Sequence, residues 1–289
     1  MGGLSRKVDV TRTASTSKLS EESLGIFDRS LLKALGCLKA LNFRHIAFLG
    51  RGLDEIQRGD AYKILWHKIP ASSDITFGRL QKLCNKGWVT PWYSWKPDHI
   101  LTEPRGQAQP KKNGVLFVLG REGRRRLREK SIMMPPAPMD DDLYLTAFPL
   151  ARWMTASSCA LTLQSQGYEL RAVQEEWKKR FDIAAPAFKP DFIAFKGAPI
   201  AFYIYESPFG VRSEYFVAHV GRGLHWMSSG SSAVILIRSK EALRKVLFSM
   251  KGNCLGENGD RVFVGNLEDF RDKLGHSSVV SGNNKFMRL

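Results

Sequence analysis

A short apolar hairpin with a carboxylate at each open end is the feature of this 289-residue chain that most restricts its fold. Residues 190–206 read Pro-Asp-Phe-Ile-Ala-Phe-Lys-Gly-Ala-Pro-Ile-Ala-Phe-Tyr-Ile-Tyr-Glu. The runs on either side of Lys196 to Pro199 are apolar and rich in β-branched and aromatic residues, which is typical of strands joined by a turn. We therefore expect two paired strands that reverse at residues 196–199.

The two acids of this hairpin form a candidate metal site. Counted outward from the predicted turn, Asp191 falls opposite Glu206 to within about one residue, so both carboxylates would flank one patch of the sheet. The same count puts Ile193 and Phe195 on one face with Phe202 and Ile204. Carboxylate oxygens suit Mg²⁺ or Mn²⁺. The alternative is that each acid is a solvated turn residue beside a strand.

The charge of the chain indicates a polyanionic partner. The formal net charge is +16, and residues 1–135 carry 25 Lys and Arg against 12 Asp and Glu. Such an excess favours nucleic acid or an acidic membrane surface. No apolar run is long enough to span a bilayer, and the N-terminus lacks a secretory signal. We therefore expect a cytoplasmic protein without membrane insertion, in which the basic half docks on the partner.

Residues 26–130 have the pattern of a winged helix that follows a flexible basic arm at residues 1–25. Helical stripes begin at Phe27, and the third helical segment has a Gly at position 87, where a helix end favours positive φ. Two strand-like runs, Trp88 to Trp95 and Val115 to Leu119, follow with a polar segment between them. Helices followed by a two-stranded ribbon predict a winged-helix DNA-binding domain.

In a winged helix the third helix enters the major groove and the ribbon lies on phosphates, so the partner would be double-stranded DNA. The basic residues expected at DNA are Arg79, Lys82 and Lys86 on the helix, Lys96, Arg105, Lys111 and Lys112 on the wing, and Arg124, Arg125 and Arg126 on the closing helix. The alternative for each of them is a solvated helix face or a basic loop.

A Pro-rich linker at residues 131–142 leads into a second domain at residues 143–289. The pattern there predicts a helix around residues 150–161, a strand at 168–173 and the hairpin. A helix at 212–226, a strand at 233–237, a helix at 239–250 and a last strand at 261–264 follow. This order indicates an α/β sandwich around a mixed sheet, and an α+β class for the whole chain.

Four short motifs resemble the plasmid replication–relaxation family. They are Gly87-Trp88-Val89, the turn from Leu119 to Arg124, Pro190-Asp191, and Ile204-Tyr205-Glu206. The resemblance implies a winged helix followed by a restriction-endonuclease-like domain, as in mobilisation relaxases. It further implies a metal-dependent nickase at an origin of transfer or replication of a plasmid or mobile element. Relaxosome or replication proteins would be partners, and the chain could oligomerise.

The resemblance assigns metal binding and catalysis to Asp191 and Glu206, but one part of the family's site is missing. The nuclease motif continues Glu-x-Lys, whereas Ser207 and Pro208 follow Glu206 here. A basic group from elsewhere could substitute, and the candidates are Lys189, Lys196, Arg212 and Arg222. Tyr215 is the candidate nucleophile, because Tyr203 and Tyr205 alternate onto the strand face opposite Glu206 and are expected in the core.

Three functions from different classes therefore remain open. The first is a nickase or relaxase in which a metal-bound water or a tyrosine attacks a phosphodiester. The second is a catalytically inactive nuclease fold that binds DNA as an accessory or replication factor. The third is a transcriptional regulator. Whether the acid pair and its basic helper are complete distinguishes the first from the other two.

Overall fold

A computed structural model describes residues 24–38, 40–51, 64–66, 74–93, 115–129, 147–173, 189–205, 212–226, 230–251, 255, 258–273, 275–281, 283 and 285–289. The helices are α1 (Ile26–Cys37), α2 (Phe43–Gly50), α3 (Asp74–Asn85), α4 (Arg121–Glu129), α5 (Ala147–Gln164), α6 (Ser213–Arg222), α7 (Lys240–Lys251) and α8 (Leu267–Asp272). The strands are β1 (Leu41–Asn42), β2 (Val89–Tyr93), β3 (Val115–Leu119), β4 (Glu169–Arg171), β5 (Phe192–Lys196), β6 (Ala198–Tyr205), β7 (Ser232–Ile237), β8 (Val262–Asn266), β9 (Ser278–Ser281) and β10 (Phe286–Arg288).

The N-terminal part, residues 24–129, combines α1 to α4 with a three-stranded antiparallel sheet in the order β1-β3-β2. β2 lies at an edge of this sheet, where Pro91 is tolerated because an edge strand can lack one N–H donor. α3 ends as the sequence predicts: Gly87 has φ +70° and the Trp88 N–H donates to Leu83 O at 3.0 Å.

The C-terminal part, residues 147–289, is built on a seven-stranded mixed sheet in the order β10-β9-β8-β7-β6-β5-β4. β6, β7 and β8 are parallel, and the outer strands on both sides pair antiparallel. The prediction of an α/β fold with a mixed sheet is confirmed. The strand predicted as the last one, β8, is followed by β9 and β10, so that prediction was wrong.

Helices cover both faces of this sheet. α5 and α8 pack on one face through residues such as Leu161 and Phe270, which share a hydrophobic cluster with Phe192 and Phe202. α6 and α7 pack on the other face, where Val217 and Val246 join a cluster with Ile235. The buried residues of β5 to β8 therefore alternate between two helical layers.

The register of the β5–β6 hairpin differs from the prediction, because it puts Asp191 opposite position 203, three residues before Glu206. The chain reverses at Gly197 alone, with φ +77°, so Lys196 already pairs with Ala198 and Pro199 lies within β6. A positive φ permits this tight reversal without strain only at glycine. An odd shift also exchanges the faces, so the expected grouping of Ile193 with Phe202 and Ile204 was wrong.

α5 joins the two parts of the chain. The Ser157 hydroxyl donates to Ala40 O at 3.0 Å, and His45 Nε2 lies 2.9 Å from Ser158 Oγ. One hydrophobic cluster also runs from α1 and α2 through α5 into the seven-stranded sheet. The basic N-terminal part is therefore packed directly on the α/β part through this helix.

Acid should weaken this junction through His45. Burial first, and the positive charge of Arg44 second, lower the pKa of His45 from 6.5 to about 3. The unfolded chain therefore binds a proton below pH 6.5 that the folded chain excludes until about pH 3. Stability should fall as the pH drops through this window, by about 3 kcal/mol at pH 4.5.

Urea unfolding at pH 7.5 and pH 4.5 measures this effect. His45→Gln keeps polar groups at the site but cannot titrate, so its stability should vary less with pH than that of the wild type. Because carboxylates contribute equally to both proteins, the difference between the two pH profiles isolates His45. Identical profiles would contradict the assignment.

Candidate functional site

Asp191 forms a buried ion pair at the start of β5. Arg152 of α5 donates to it twice, from Nε to Oδ1 and from Nη2 to Oδ2, both at 2.9 Å. The Ile204 N–H also donates to Oδ2 at 2.7 Å, and the Asp191 N–H donates to Phe202 O at 2.8 Å. The Asp191 side chain is only 6% exposed. Asp191 therefore joins α5 to the open end of the hairpin.

This environment does not fit a divalent cation at Asp191. The planar guanidinium of Arg152 lies against both carboxylate oxygens and already supplies the positive charge that a metal would supply. Glu206, the expected second ligand, lies outside the described residues. Among the residues that the structure does describe, no group of three or more His, Cys, Asp and Glu is arranged to hold a metal ion.

Of the other predicted catalytic residues, Tyr215 lies apart from Asp191, whereas Lys189 is close to it in the chain. Tyr215 is on α6, which covers the sheet face opposite to α5 and its Arg152–Asp191 pair. Lys189 is exposed two residues before Asp191, and Lys196 lies at the closed end of the hairpin. Tyr203 and Tyr205, which are 1% and 8% exposed, lie in the core as expected.

Arg152 was not among the predicted site residues, although the sequence of α5 contains a signal for it. α5 has the sequence Ala-Phe-Pro-Leu-Ala-Arg-Trp-Met-Thr-Ala-Ser-Ser-Cys-Ala-Leu-Thr-Leu-Gln, and Arg152 is its one charged residue among 18. A single charge in a helix of apolar and small residues requires a partner when the helix is buried. Asp191, directly after a proline at a strand start, is that partner.

The basic residues predicted on α3 divide into two roles. Lys82 on α3 and Lys86 in the turn directly after it are exposed, as a DNA-contacting surface requires. Arg79 instead turns towards α1, where its Nε donates to both oxygens of Asp28 at 2.8 and 2.9 Å and its Nη2 donates to Oδ2. Because the Asp28 side chain is fully buried, this pair holds α3 on α1. The expectation that Arg79 faces DNA is therefore corrected.

α4 begins directly on the turn that ends α3. The Gly120 N–H donates to Trp88 O at 2.9 Å, and the Glu122 N–H donates to Gly87 O at 3.0 Å. The exposed Arg121 thus lies close to Lys86. We call Lys82, Lys86 and Arg121 the α3–α4 surface.

The other arginines of α4 are partly compensated within the helix. Arg125 donates to Glu122 from Nη2 at 2.6 Å and from Nε at 3.0 Å, and the Arg126 Nε donates to the same carboxylate at 3.3 Å. Hydrogen bonds from Arg125 hold the pKa of Glu122 below its usual value. Arg124 is partly exposed. The wing residues Lys96, Arg105, Lys111 and Lys112 lie outside the described residues.

No protein-family model, curated protein or solved structure matches this chain. Within the described ranges, no helix has the length and apolar character needed to cross a membrane.

Proposed function

We propose that this protein binds duplex DNA through the α3–α4 surface, and that Lys82 and Lys86 make phosphate or base contacts. The observation that carries the proposal is the exposed pair formed by Lys82 on α3 and Lys86 in the turn directly after it, next to an inner arginine of the helix, Arg79, that is bound to Asp28. The helix is thereby held firmly while its outer face stays basic.

The topology of the N-terminal part supports this proposal. Three helices and a sheet in the order β1-β3-β2 support the proposal of a winged helix, in which α3 would be the recognition helix and the segment between β2 and β3 would be the wing. Arg121 extends the basic surface beyond the end of α3, because the Glu122 N–H donates to Gly87 O. Charge from two helices would thus face one stretch of DNA backbone.

Charge reversal at the α3–α4 surface should weaken duplex binding. We expect Lys82→Glu/Lys86→Glu to raise the Kd for a 20-base-pair duplex by about tenfold or more, and to reduce the slope of log K against log salt by about 2, because each lost phosphate contact removes about 0.9. Fluorescence anisotropy at several salt concentrations measures both quantities.

The matched control is Lys273→Glu, which makes one reversal at an exposed lysine beyond α8. It lowers the net charge without touching the N-terminal part. If the control weakened binding as much per reversal as the double variant, binding would follow net charge alone and the α3–α4 surface would be rejected.

For the C-terminal part we propose a non-catalytic role in DNA processing, as an accessory or replication factor of a plasmid or mobile element. The support is the Arg152–Asp191 pair, in which the acid of the Pro-Asp motif is bound by a guanidinium and a backbone N–H. Such an acid stabilises the fold and is not available as a ligand.

A nickase or relaxase is the second candidate function. The observation that favours it is the order α5-β4-β5-β6-α6-β7 among the described elements, with Pro190-Asp191 directly before β5, antiparallel pairing of β4, β5 and β6, and a parallel β7 beside β6. This order is the one expected for a restriction-endonuclease-like core. Conversion of supercoiled origin DNA to the nicked form distinguishes a nickase from a non-catalytic accessory factor. Variants of Arg152 and Asp191 show whether Asp191 takes part in this conversion.

A further inference from the structure

The outer side of the α6–α7 layer combines exposed aromatic rings with basic side chains. On α6, Tyr215, His219 and Arg222 follow each other at intervals of four and three residues and so share one side of the helix. Tyr215 is 54% exposed, and its ring lies 4.2 Å from that of His219. On α7, Arg244 and Phe248 are four residues apart, and Phe248 is 81% exposed.

These two rows run side by side on the same face of the protein. α6 and α7 point in the same direction, because each connects neighbouring strands of the parallel β6-β7-β8 ladder. Their first turns adjoin, since Ser213 Oγ lies 3.5 Å from Ala242 O. We call Tyr215, His219, Arg222, Arg244 and Phe248 the α6–α7 face.

The charge of this layer is strongly positive. The two helices and the N-cap residue Arg212 carry six basic residues against two acidic ones. The basic residues are Arg212, Arg222, Lys240, Arg244, Lys245 and Lys251, and the acidic residues are Glu214 and Glu241. Glu241 accepts a hydrogen bond from Lys245 at 2.7 Å, one turn later on α7. The occupant of this face is therefore expected to be an anion that also offers flat apolar surface.

We propose that the α6–α7 face binds single-stranded DNA, with Tyr215 and Phe248 stacking on bases and Arg222 and Arg244 contacting phosphates. Stacking between bases and exposed aromatic rings, combined with cationic side chains along the backbone, is the usual mode of single-strand binding. Duplex DNA hides the faces of its bases and cannot use such rings. The site lies on different helices from the α3–α4 surface and does not depend on duplex binding there.

Removal of both aromatic rings tests the proposal. With a fluorescein-labelled 15-residue oligothymidylate as the probe, Tyr215→Ala/Phe248→Ala should raise the Kd by at least about fivefold for each ring lost. Phe248→Trp keeps a stacking surface and should bind close to the wild-type level. Since these side chains are exposed, the variants should unfold at the wild-type temperature.

The matched control is Phe286→Ala, which removes a ring that is 74% exposed on β10, at the edge of the sheet. It should leave oligothymidylate binding unchanged. Lys82→Glu/Lys86→Glu should also keep single-strand binding, whereas Tyr215→Ala/Phe248→Ala should keep duplex binding. These two results test the two proposals separately, because the first variant changes only the α3–α4 surface and the second changes only the α6–α7 face.

Three outcomes would overturn the proposal. The first is equal oligothymidylate affinity in Tyr215→Ala/Phe248→Ala and Phe286→Ala. The second is a lower sedimentation coefficient in the aromatic variants with no change in oligothymidylate binding, which would show that the face contacts a second copy of the chain. The third is loss of binding to vesicles of anionic phospholipid with no change in oligonucleotide binding, which would assign it to a membrane surface.

Discussion

Gly120→Ala should unfold the N-terminal part, whereas Gly78→Ala should leave it at least as stable as the wild type. A Cβ atom at Gly120 would lie 2.2 Å from Gly87 O and 2.8 Å from Gly87 C. Both are backbone atoms in the turn that ends α3, so no side-chain rotation relieves the clash. We expect a loss of at least about 4 kcal/mol, which is exceptional for a change of one methyl group.

Gly78 is the matched control on α3 itself. Nothing lies within 4 Å of a Cβ atom at this position, and the residue is exposed within a helix. Alanine there should stabilise the protein by about 0.5 to 1 kcal/mol through the lower entropy of the unfolded chain. Urea unfolding followed by tryptophan fluorescence measures both variants, and the buried Trp88 reports on the turn concerned. Equal midpoints for the two variants would contradict the close contact.

This contact also explains why glycines recur in the motif around residues 120–123. At Gly123 a Cβ atom would lie 2.4 Å from Trp88 O, so both glycines let α4 approach the end of α3. That approach brings Arg121 towards Lys86 and completes the α3–α4 surface. The pattern of glycines is visible in the sequence, but its purpose is not, because the contact joins segments more than 30 residues apart.

Sequence patterns predicted the elements whose periodicity spans several turns or pairs. Val115–Leu119 was predicted as β3 with its observed bounds, and Gly87 was predicted at the end of α3. β1 and β10, with two and three residues, are too short to show alternation and were missed. Their existence depends on pairing with β3 and β9, which is a tertiary property.

The candidate site was harder to predict, because it depends on register. A single Gly197 in the left-handed region shortens the turn and moves Asp191 beside residues 202–204 instead of Glu206. The position of Asp191 was counted from a turn at residues 196–199, whereas the chain turns at Gly197 alone. The turn is thus three residues shorter than predicted, and an odd change in register exchanges the two faces of the hairpin. The partner of Asp191 then comes from α5, almost 40 residues earlier in the chain, and hairpin geometry gives no information about it.

Arg152→Gln should destabilise the protein by about 3 to 5 kcal/mol, because it leaves the carboxylate of Asp191 buried without a counter-charge. Asp191→Asn should cost less, since an amide still accepts from the Ile204 N–H and the remaining Arg152, 27% exposed, can reach water. Arg152→Gln/Asp191→Asn should be more stable than Arg152→Gln, because no charge remains buried. The cycle of urea unfolding free energies therefore gives a coupling term, and additive losses would contradict the ion pair.

The same three variants decide between the two roles proposed for the C-terminal part. If Asp191 serves only the fold, duplex binding and any change of supercoiled origin DNA should follow the folded fraction of each variant, and the double variant should behave most like the wild type. If Asp191 takes part in cutting, Asp191→Asn and the double variant should lose nicking at temperatures where both are fully folded, while duplex affinity stays unchanged. Arg152→Gln leaves the carboxylate of Asp191 in place. If this variant still nicks DNA while the two variants that lack the carboxylate do not, Asp191 is a reactive acid and Arg152 is not required for cutting. Loss of stability without any such difference would assign the pair to the architecture that joins α5 to the sheet.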